Sequence, residues 1–442
     1  MSCVGGIMNW LVAAVLILLV ALVLDLGLLM YAMYALLAVL LFSRYLTRRW
    51  AESLTATREC NRLSADVGDM VAVVVNVANS SSLPIAWCLI EDLLPRHALV
   101  HDPPALGLEG RRTQLSMLPA RAARSLRYQL RCNRRGYYQI GPLVLETGDL
   151  FGLHRRYRVA TKPHFLLVYP RVLPLEGYDV SSRRPIGEVR MMHRLYEDPT
   201  RIAGVRQYER GDSLNRVHWR ATARTGVLHS KVYEPSSVAG VTLLLDYHQA
   251  SHDPRNEPFR SELAITAAAS VANAVYEMGQ QVGLVTNGRD AADRIRQEGW
   301  DCDLRTRDAA RQAASMLDHS ERLRPVIVET RRGADQLLRV LETLARVELT
   351  DGLTLPQLIT ETTGRIPRDA SVLAVLPQVT PDVSIALHGL RRQGFAVSAI
   401  VSVYEEYDFA QASGPLLAVG IPTYHLRSEE SIVAVCRQIL VR

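Results

Sequence analysis

The chain has 442 residues, of which 48% are hydrophobic, and it carries a formal net charge of +6. It is too long for one ordinary domain, so we expect two soluble domains with sizeable cores besides any membrane anchor. The six cysteines contain no C-x-x-C pair and no metal-ligand spacing, which argues against a structural zinc site and against a disulfide framework.

Residues 1–50 are predicted to be a membrane anchor. The run Ile7–Phe42 is 36 residues long and its only charged residue is Asp25. As one helix it would measure about 54 Å, against a hydrocarbon core of about 30 Å. A transmembrane helical hairpin with helices over 8–24 and 28–42 fits the bilayer better, with Asp25 and Gly27 at its solvated tip.

Positive charge sets the predicted orientation of this hairpin. Arg44, Arg48 and Arg49 follow it, and no charged side chain precedes it. The positive-inside rule therefore places both termini and both soluble domains in the cytoplasm. A signal peptide is a poor alternative, because the apolar run is too long and no basic segment precedes it.

The segment 53–172 is predicted to be a β-sandwich. Short runs such as MVAVVVNVAN and RSLRYQLRC alternate apolar and polar residues, and turn signals separate them. Such a domain can present a binding surface or act as a spacer, and it contains no recognisable catalytic constellation.

The segment 173–236 is predicted to be a basic linker with a short helix. Between Arg183 and Lys231, eleven Arg and Lys residues stand against five acidic residues, an excess that equals the formal charge of the whole chain. This concentration of positive charge suits nucleic acid, anionic lipid headgroups or an acidic protein surface.

Cap signals within this linker predict a helix over Ser213–Thr225. Asp212 and Ser213 are favoured N-cap residues, and Gly226 follows the last periodic position. On this helix three arginines share one flank: Arg216, Arg220 and Arg224. The inward face consists of Leu214, Val217 and Ala221.

The segment 237–442 alternates short apolar runs with helical patterns. The first run, GVTLLLD, ends at Asp246. Alternation of this kind predicts βαβ units and a mostly parallel sheet covered on both faces.

The basic segment closely resembles the signature of the bacterial family named domain of unknown function fifty-eight (DUF58). The matching positions are Arg206, Tyr208, Gly211, Asp212, Arg216, Trp219, Ala223, Arg224, Glu234 and Asp246. Residues 134–153 also resemble the β-rich region that precedes this signature. The resemblance implies a bacterial inner-membrane protein whose last domain has a von Willebrand factor A-like, Rossmann-like fold. It also implies a MoxR-type AAA+ ATPase as partner.

Domains with the A-like fold often hold a divalent cation through an Asp-x-Ser-x-Ser loop after the first strand. Here that loop reads Asp246, Tyr247, His248, Gln249, Ala250, so both serine ligands are lost. The later strand SVLAVLPQ also lacks an aspartate at its end. We therefore expect no metal and no other cofactor, and we interpret Asp246 and His248 as a degenerate metal loop.

No sequence motif points to catalysis, since the chain lacks a P-loop, a dinucleotide glycine fingerprint, G-x-S-x-G and H-E-x-x-H. The predicted function is a membrane-anchored, non-enzymatic adaptor or scaffold, with homo-oligomer formation left open. One alternative is a cell-envelope hydrolase or transferase without a recognisable motif. Another is a basic module for nucleic acid or anionic lipid, although no nucleic-acid-binding module is recognisable.

Two roles remain open for the signature arginines. They dock a partner, or they lock the junction between the two soluble domains. In the second case Arg206, Arg216 or Arg224 pairs with an acidic residue of the same segment, and the candidates are Glu209, Asp212 and Glu234. Arg220 lies outside the family signature.

Overall fold

The computed structural model describes residues 14–20, 22–24, 27–95, 98–99, 103–150, 152, 154–174, 197–208, 217–235, 240–298, 323–368 and 370–441. The chain divides into two compact units. One holds Met1–Arg171 with Asp290–Glu321 and Ala345–Val347, and the other holds Val172–Arg289, Arg322–Leu344 and Glu348–Arg442.

The first unit contains a long apolar helix, α1 (Gly27–Ser53). By length and composition α1 is able to cross a membrane. Residues 14–20 and 22–23 are also helical, while Asp25 lies outside the described residues. The prediction ended this helix at Phe42, which is too early. The helix continues to Ser53 because its last turns pack on protein and bury four side chains: Ser43, Thr47, Trp50 and Ala51.

Eleven strands follow α1 in the described part of the first unit. They are β1 (Leu54–Cys60), β2 (Ser64–Asp66), β3 (Met70–Asn79), β4 (Ile85–Asp92), β5 (Leu106–Gly110), β6 (Thr113–Leu118), β7 (Ala123–Cys132), β8 (Gly136–Ile140), β9 (Leu143–Gly148), β10 (Arg155–Thr161) and β11 (His164–Tyr169). Two antiparallel four-stranded sheets have the orders β1-β3-β7-β5 and β10-β9-β4-β6, and a small sheet has the order β2-β11-β8.

The two larger sheets share one hydrophobic core. In β3 the valines at positions 71, 73, 75 and 77 are fully buried and most of the residues between them are not, which is the two-residue period expected of a strand with one core-facing side. Trp50 of α1 belongs to the same core. This β-sandwich-like arrangement agrees with the prediction.

The second unit begins, in its described residues, with a small antiparallel pair and a short helix. These are β12 (Glu197–Gln207), α2 (Trp219–Thr225) and β13 (His229–Pro235).

Strands and helices alternate from residue 240 onward. They are β14 (Gly240–Leu245), α3 (Phe259–Glu277), β15 (Gln281–Thr286), β16 (Arg289–Asp290), α4 (Ala291–Glu298), β17 (Val326–Arg331), α5 (Ala334–Arg346), β18 (Val347–Glu348), α6 (Leu355–Thr362), β19 (Ala370–Leu376), α7 (Pro381–Arg392), β20 (Val397–Val401), α8 (Glu406–Ala418), β21 (Thr423–His425) and α9 (Glu429–Val441).

Six of these strands form one sheet in the order β17-β15-β14-β19-β20-β21. Neighbouring strands are parallel except β17, which is antiparallel to β15. Every residue of the central strand β14 is buried, as expected for a parallel strand covered on both faces. The mostly parallel sheet predicted from the alternation is therefore found. Asp246 lies at the carboxyl end of β14, in the middle of this sheet.

Candidate functional site

Asp246 directly follows β14 at the carboxyl end of the sheet, and its side chain is buried. Its Oδ1 accepts hydrogen bonds from the amide of Asn287 at 2.9 Å and from the backbone N–H of His248 at 3.2 Å. Asn287 also accepts the backbone N–H of Tyr247 at 2.7 Å. The carboxylate thus helps to hold the loop that follows β14.

Sequence reasoning missed Asn287. The available signal was its place at the end of β15, the strand beside β14, because the carboxyl ends of parallel neighbours meet at one edge. Its amide also donates to the carbonyl of Leu353 at 2.9 Å, so it ties three chain segments together.

His248, the other residue of the degenerate metal loop, also bonds within its own loop. Its Nδ1 accepts the backbone N–H of Ala250 at 3.2 Å, and this bond caps a short 3-10 helix, Gln249–Ser251. In the described part of the chain, no group of three or more His, Cys, Asp and Glu residues is arranged to hold a metal ion.

A His–Glu–Ser cluster lies next to this loop. His252 Nδ1 is 2.9 Å from Glu257 Oε1, and the hydroxyl of Ser261 donates to the other oxygen of Glu257. Burial raises the pKa of Glu257, but the hydrogen bonds from His252 and Ser261 outweigh burial and leave this pKa below its usual value. The carboxylate lies between Ser261 and His252. A catalytic triad needs the imidazole in that position, so this order does not activate the serine.

Two further clusters in the first unit bear on the hydrolase alternative. Ser43 donates to Asp149 Oδ2 and lies 3.3 Å from His154 Nδ1. Acid and imidazole thus contact the same hydroxyl, and His154 Nε2 is buried without a partner among the described residues. The arrangement holds Ser43 of α1 and does not activate it.

The second cluster is a Cys–His pair. Cys60 Sγ lies 3.7 Å from His164 Nδ1. Burial raises the pKa of the Cys60 thiol. Burial and the nearby Arg58 guanidinium lower the pKa of His164. Both shifts disfavour the thiolate–imidazolium pair that a cysteine nucleophile requires.

The signature segment folds around the pairing of β12 with β13, in which Arg206 is opposite Ser230. The predicted helix start is wrong. Val217 forms a bridge with Ser230 in extended backbone, and α2 begins at Trp219 with His218 as its N-cap. His218 Nδ1 accepts the backbone N–H of Ala221 at 3.0 Å.

The predicted helix end at Gly226 is confirmed, because Gly226 adopts the left-handed conformation with φ 71°. Gly211, Asp212 and Arg216 lie outside the described residues, and so does the side chain of Glu234. Since α2 begins only at Trp219, the helix carries Arg220 and Arg224 of the three predicted arginines.

The side chains of α2 are directed mainly to solvent. Trp219 is 69% exposed, and the helix has no buried residue. The inward face predicted for Ala221 is therefore weak, since Ala221 is only half-buried. Arg220 and Arg224 are exposed, and neither has a hydrogen-bond or ion-pair partner among the described residues.

Two further signature residues, Arg206 and Tyr208, lie near the end of β12. Arg206 Nη1 donates to the carbonyl of Gln207 at 3.3 Å. The backbone N–H of Tyr208 donates to the carbonyl of Leu228 at 2.9 Å. Apart from the buried Asp246, the described signature residues thus fall into two groups, one bonded along the β12–β13 pair and one exposed on α2. We call Trp219, Arg220 and Arg224 the α2 face.

Comparison with known proteins gives one family and one relative of note. The family described as "Protein of unknown function DUF58" matches residues 204–300, which include β13 and the α2 face. The uncharacterized protein YeaD of Bacillus subtilis (strain 168) is 25% identical over 262 residues, which is 59% of this chain and 62% of that protein. The match therefore spans less than two thirds of the relative's length.

Solved structures resemble parts of the chain at low overall similarity. The CARDB domain of PF1109 from Pyrococcus furiosus is 10% identical with a TM-score of 0.18, and the match covers 26% of this chain and 94% of that domain. Proximal thread matrix protein 1 from the mussel byssus is 9% identical with a TM-score of 0.29, over 46% of this chain and 47% of that protein.

Proposed function

We propose that this protein is a membrane-anchored, non-enzymatic adaptor that binds an acidic partner surface through the α2 face. The observation that carries the proposal is the exposure of Trp219, at 69%, beside two arginines without partners among the described residues. Tryptophan and arginine are enriched among the residues that dominate binding energy at protein interfaces. A helix that buries none of its own side chains contributes little to the core of its unit, which leaves its surface available to a partner.

The charge of the α2 face defines the chemistry of that partner. Arg220 and Arg224 lie one helical turn apart, and a surface rich in Asp and Glu complements them. A MoxR-type AAA+ ATPase is the partner we propose, on the strength of the family resemblance. Nucleic acid is less favoured, because the face offers one aromatic ring where single-strand binders stack several bases.

The adaptor is proposed to use a von Willebrand factor A-like domain. The strand order of the six-stranded sheet supports this fold. Of its six strands β14 comes first in the chain, it lies inside the sheet between β15 and β19, and the antiparallel β17 lies at one edge. The absence of both loop serines fits a domain that serves as a scaffold and does not use a metal ion for adhesion.

A catalytic role is not favoured by the clusters described above. The Ser261–Glu257–His252, Ser43–Asp149–His154 and Cys60–His164 groups each lack the order or the protonation state that a nucleophile requires. The anchor is α1, and the arginines that follow Phe42 favour a cytoplasmic position for both units.

The proposal is tested by capture from membranes. Full-length protein carrying Trp219→Ala should lose the ATPase that the unmodified protein retains, as identified by mass spectrometry. The control is Tyr407→Ala, which removes an aromatic ring of similar exposure, 78%, from α8 of the same unit. Equal recovery of the ATPase with both variants would reject the α2 face as the docking surface, and its absence from every capture would reject the partner.

A further inference from the structure

The helix α1 is joined firmly to the β-sandwich. Ser43 donates to Asp149, which directly follows β9, and Trp87 Nε1 donates to the carbonyl of Asp149 at 3.2 Å. At the other end of the contact, Arg158 Nη1 donates to the carbonyls of Ala51 and Glu52 at 2.9 and 2.8 Å. These bonds fix the position of the sandwich along the axis of the helix.

The first of these bonds lies where the apolar part of the helix ends. Ser43 directly follows Phe42, the last residue of the apolar run, and the next residues are Arg44 and Tyr45. Phe42 and Tyr45 are both exposed. Aromatic and basic side chains are enriched where a membrane helix leaves the hydrocarbon. In a membrane crossed by α1, Asp149 would therefore be held at the depth of the membrane–water interface.

Three large apolar side chains are exposed on the sheet that contains β9 or directly after Asp149. Leu150 follows it and is 74% exposed, and Leu115 and Met117 on β6 are 66% and 63% exposed. Leu115 on β6 is opposite Leu89 on β4, and Leu89 is opposite Glu146 on β9. The face of the sheet that carries Leu115 therefore continues across β4 to β9. Met117 lies two residues further along the same face, towards the end where Trp87 contacts Asp149. We call Leu115, Met117 and Leu150 the apolar rim.

We propose that the apolar rim inserts into the headgroup–acyl boundary of the membrane that α1 crosses, so that the β-sandwich lies against the bilayer surface. Continuity with α1 selects this partner, because Asp149 is bonded to the helix at the residue where its apolar run ends. Apolar side chains at this depth are removed from water by insertion.

Charge supports the same partner. Residues 54–171 contain sixteen basic and nine acidic residues, a net charge of +7 that exceeds the +6 of the whole chain. Anionic lipid headgroups of the cytoplasmic leaflet attract a positively charged domain held close to the surface.

The test places a photocrosslinking residue, benzoylphenylalanine, at position 150, 117 or 63 of the full-length protein in bacterial membranes. Leu63 is the matched control, because it is an exposed leucine of the same sandwich. Leu63 follows the far end of β1, whereas the near end of β1 is joined directly to the end of α1. Illumination should yield phospholipid adducts, detected by mass, at positions 150 and 117 and not at 63.

Other adduct patterns overturn the inference. Adducts with a protein or with a second copy of this chain at positions 150 and 117 would show that the rim is a protein interface. Equal lipid adducts at all three positions, or none at 150 and 117, would show that the apolar rim does not insert into the bilayer. The inference rests on the membrane-anchored part of the proposed function. Loss of the protein from the membrane fraction would overturn both, whereas failed adducts in anchored protein would overturn the rim alone.

Discussion

Arginine has opposite roles in two regions of this molecule. In the sandwich, the side chain of Arg58 is fully buried, and so is its partner Asp92. Its Nε and Nη2 donate to Asp92, and its Nη1 donates to the carbonyls of Ile140 and Lys162 at 3.0 and 3.1 Å. On α2, Arg220 and Arg224 are exposed and have no partner among the described residues.

The difference shows how burial and bonding decide what a charge does. A buried guanidinium is tolerated only when its donors and its charge are satisfied, so Arg58 joins strands from both large sheets. Tyr128 completes this network by donating to Asp92 at 2.7 Å. Gly141 leaves room for the guanidinium of Arg58, because a Cβ at position 141 would collide with it. An exposed arginine without partners contributes little to folding and remains free to bind.

The largest expected effect comes from breaking the buried network. Asp92→Asn removes the negative charge and leaves Arg58 buried and unpaired, which should lower the free energy of unfolding by about 3–5 kcal/mol. Chemical denaturation of the detergent-solubilised protein, followed by a probe in the sandwich, measures this change.

A matched control is available in the same unit. Asp69 pairs with Arg62 at 2.7 Å, but both side chains are substantially exposed. Asp69→Asn should therefore cost no more than about 1 kcal/mol. Similar losses for the two variants would mean that burial of the Arg58–Asp92 pair does not determine its contribution.

Glu257 is less buried than Asp92 and more buried than Asp69, and it should make the stability of the protein depend on pH. The folded-state pKa of Glu257 is lowered, because the hydrogen bonds from His252 and Ser261 outweigh its burial. The unfolded chain therefore binds the proton more readily. Glu257 contributes stability above its unfolded pKa of about 4.3, and this contribution is lost as the pH falls through the folded pKa.

Melting temperatures measured from neutral to acidic pH test this. Glu257→Gln should lower the melting temperature of the second unit near neutral pH and flatten its decline in acid. Glu361→Gln, at an exposed position of α6, should leave the pH profile unchanged. An unaltered acid decline in Glu257→Gln would show that other groups cause it.

Much of the fold could be predicted because its local patterns agree with its packing. The alternation in β3 and the buried run of β14 both appear in the sequence as the periods their surroundings require. The start of α2 could not be found, because Asp212 and Ser213 are favoured caps whereas His218, which actually caps the helix, is a rare one. The end of α1 was missed because hydropathy falls after Phe42 while tertiary packing keeps the helix intact.

The site was harder to predict than the fold. Arg58 and Asp92 are 34 positions apart, and Asp246 and Asn287 are 41 apart. The first pair meets only where the two large sheets pack on each other, and the second only through the pairing of β14 with β15.

The arginines of the signature stood out in the sequence by charge density. That density did not reveal whether they are buried. Arg224 is exposed, and the side chains of its predicted partners Asp212 and Glu234 lie outside the described residues, so the lock stays a prediction.

The smallest effect on folding, and the clearest effect on function, is expected at the α2 face. Arg220→Glu and Arg224→Glu should each change the free energy of unfolding by no more than about 1 kcal/mol, because exposed charges contribute little. Each should nevertheless weaken binding of the proposed ATPase partner and reduce the dependence of binding on salt, since a repulsive charge would replace an attractive one at the proposed interface. Arg339→Glu and Arg392→Glu are the controls, because they change exposed arginines on α5 and α7. Binding measured over a salt series, beside thermal melts, separates the two roles. A large loss of stability at Arg224 would support the lock, whereas equal binding by all four variants would remove the α2 face from the proposed interface.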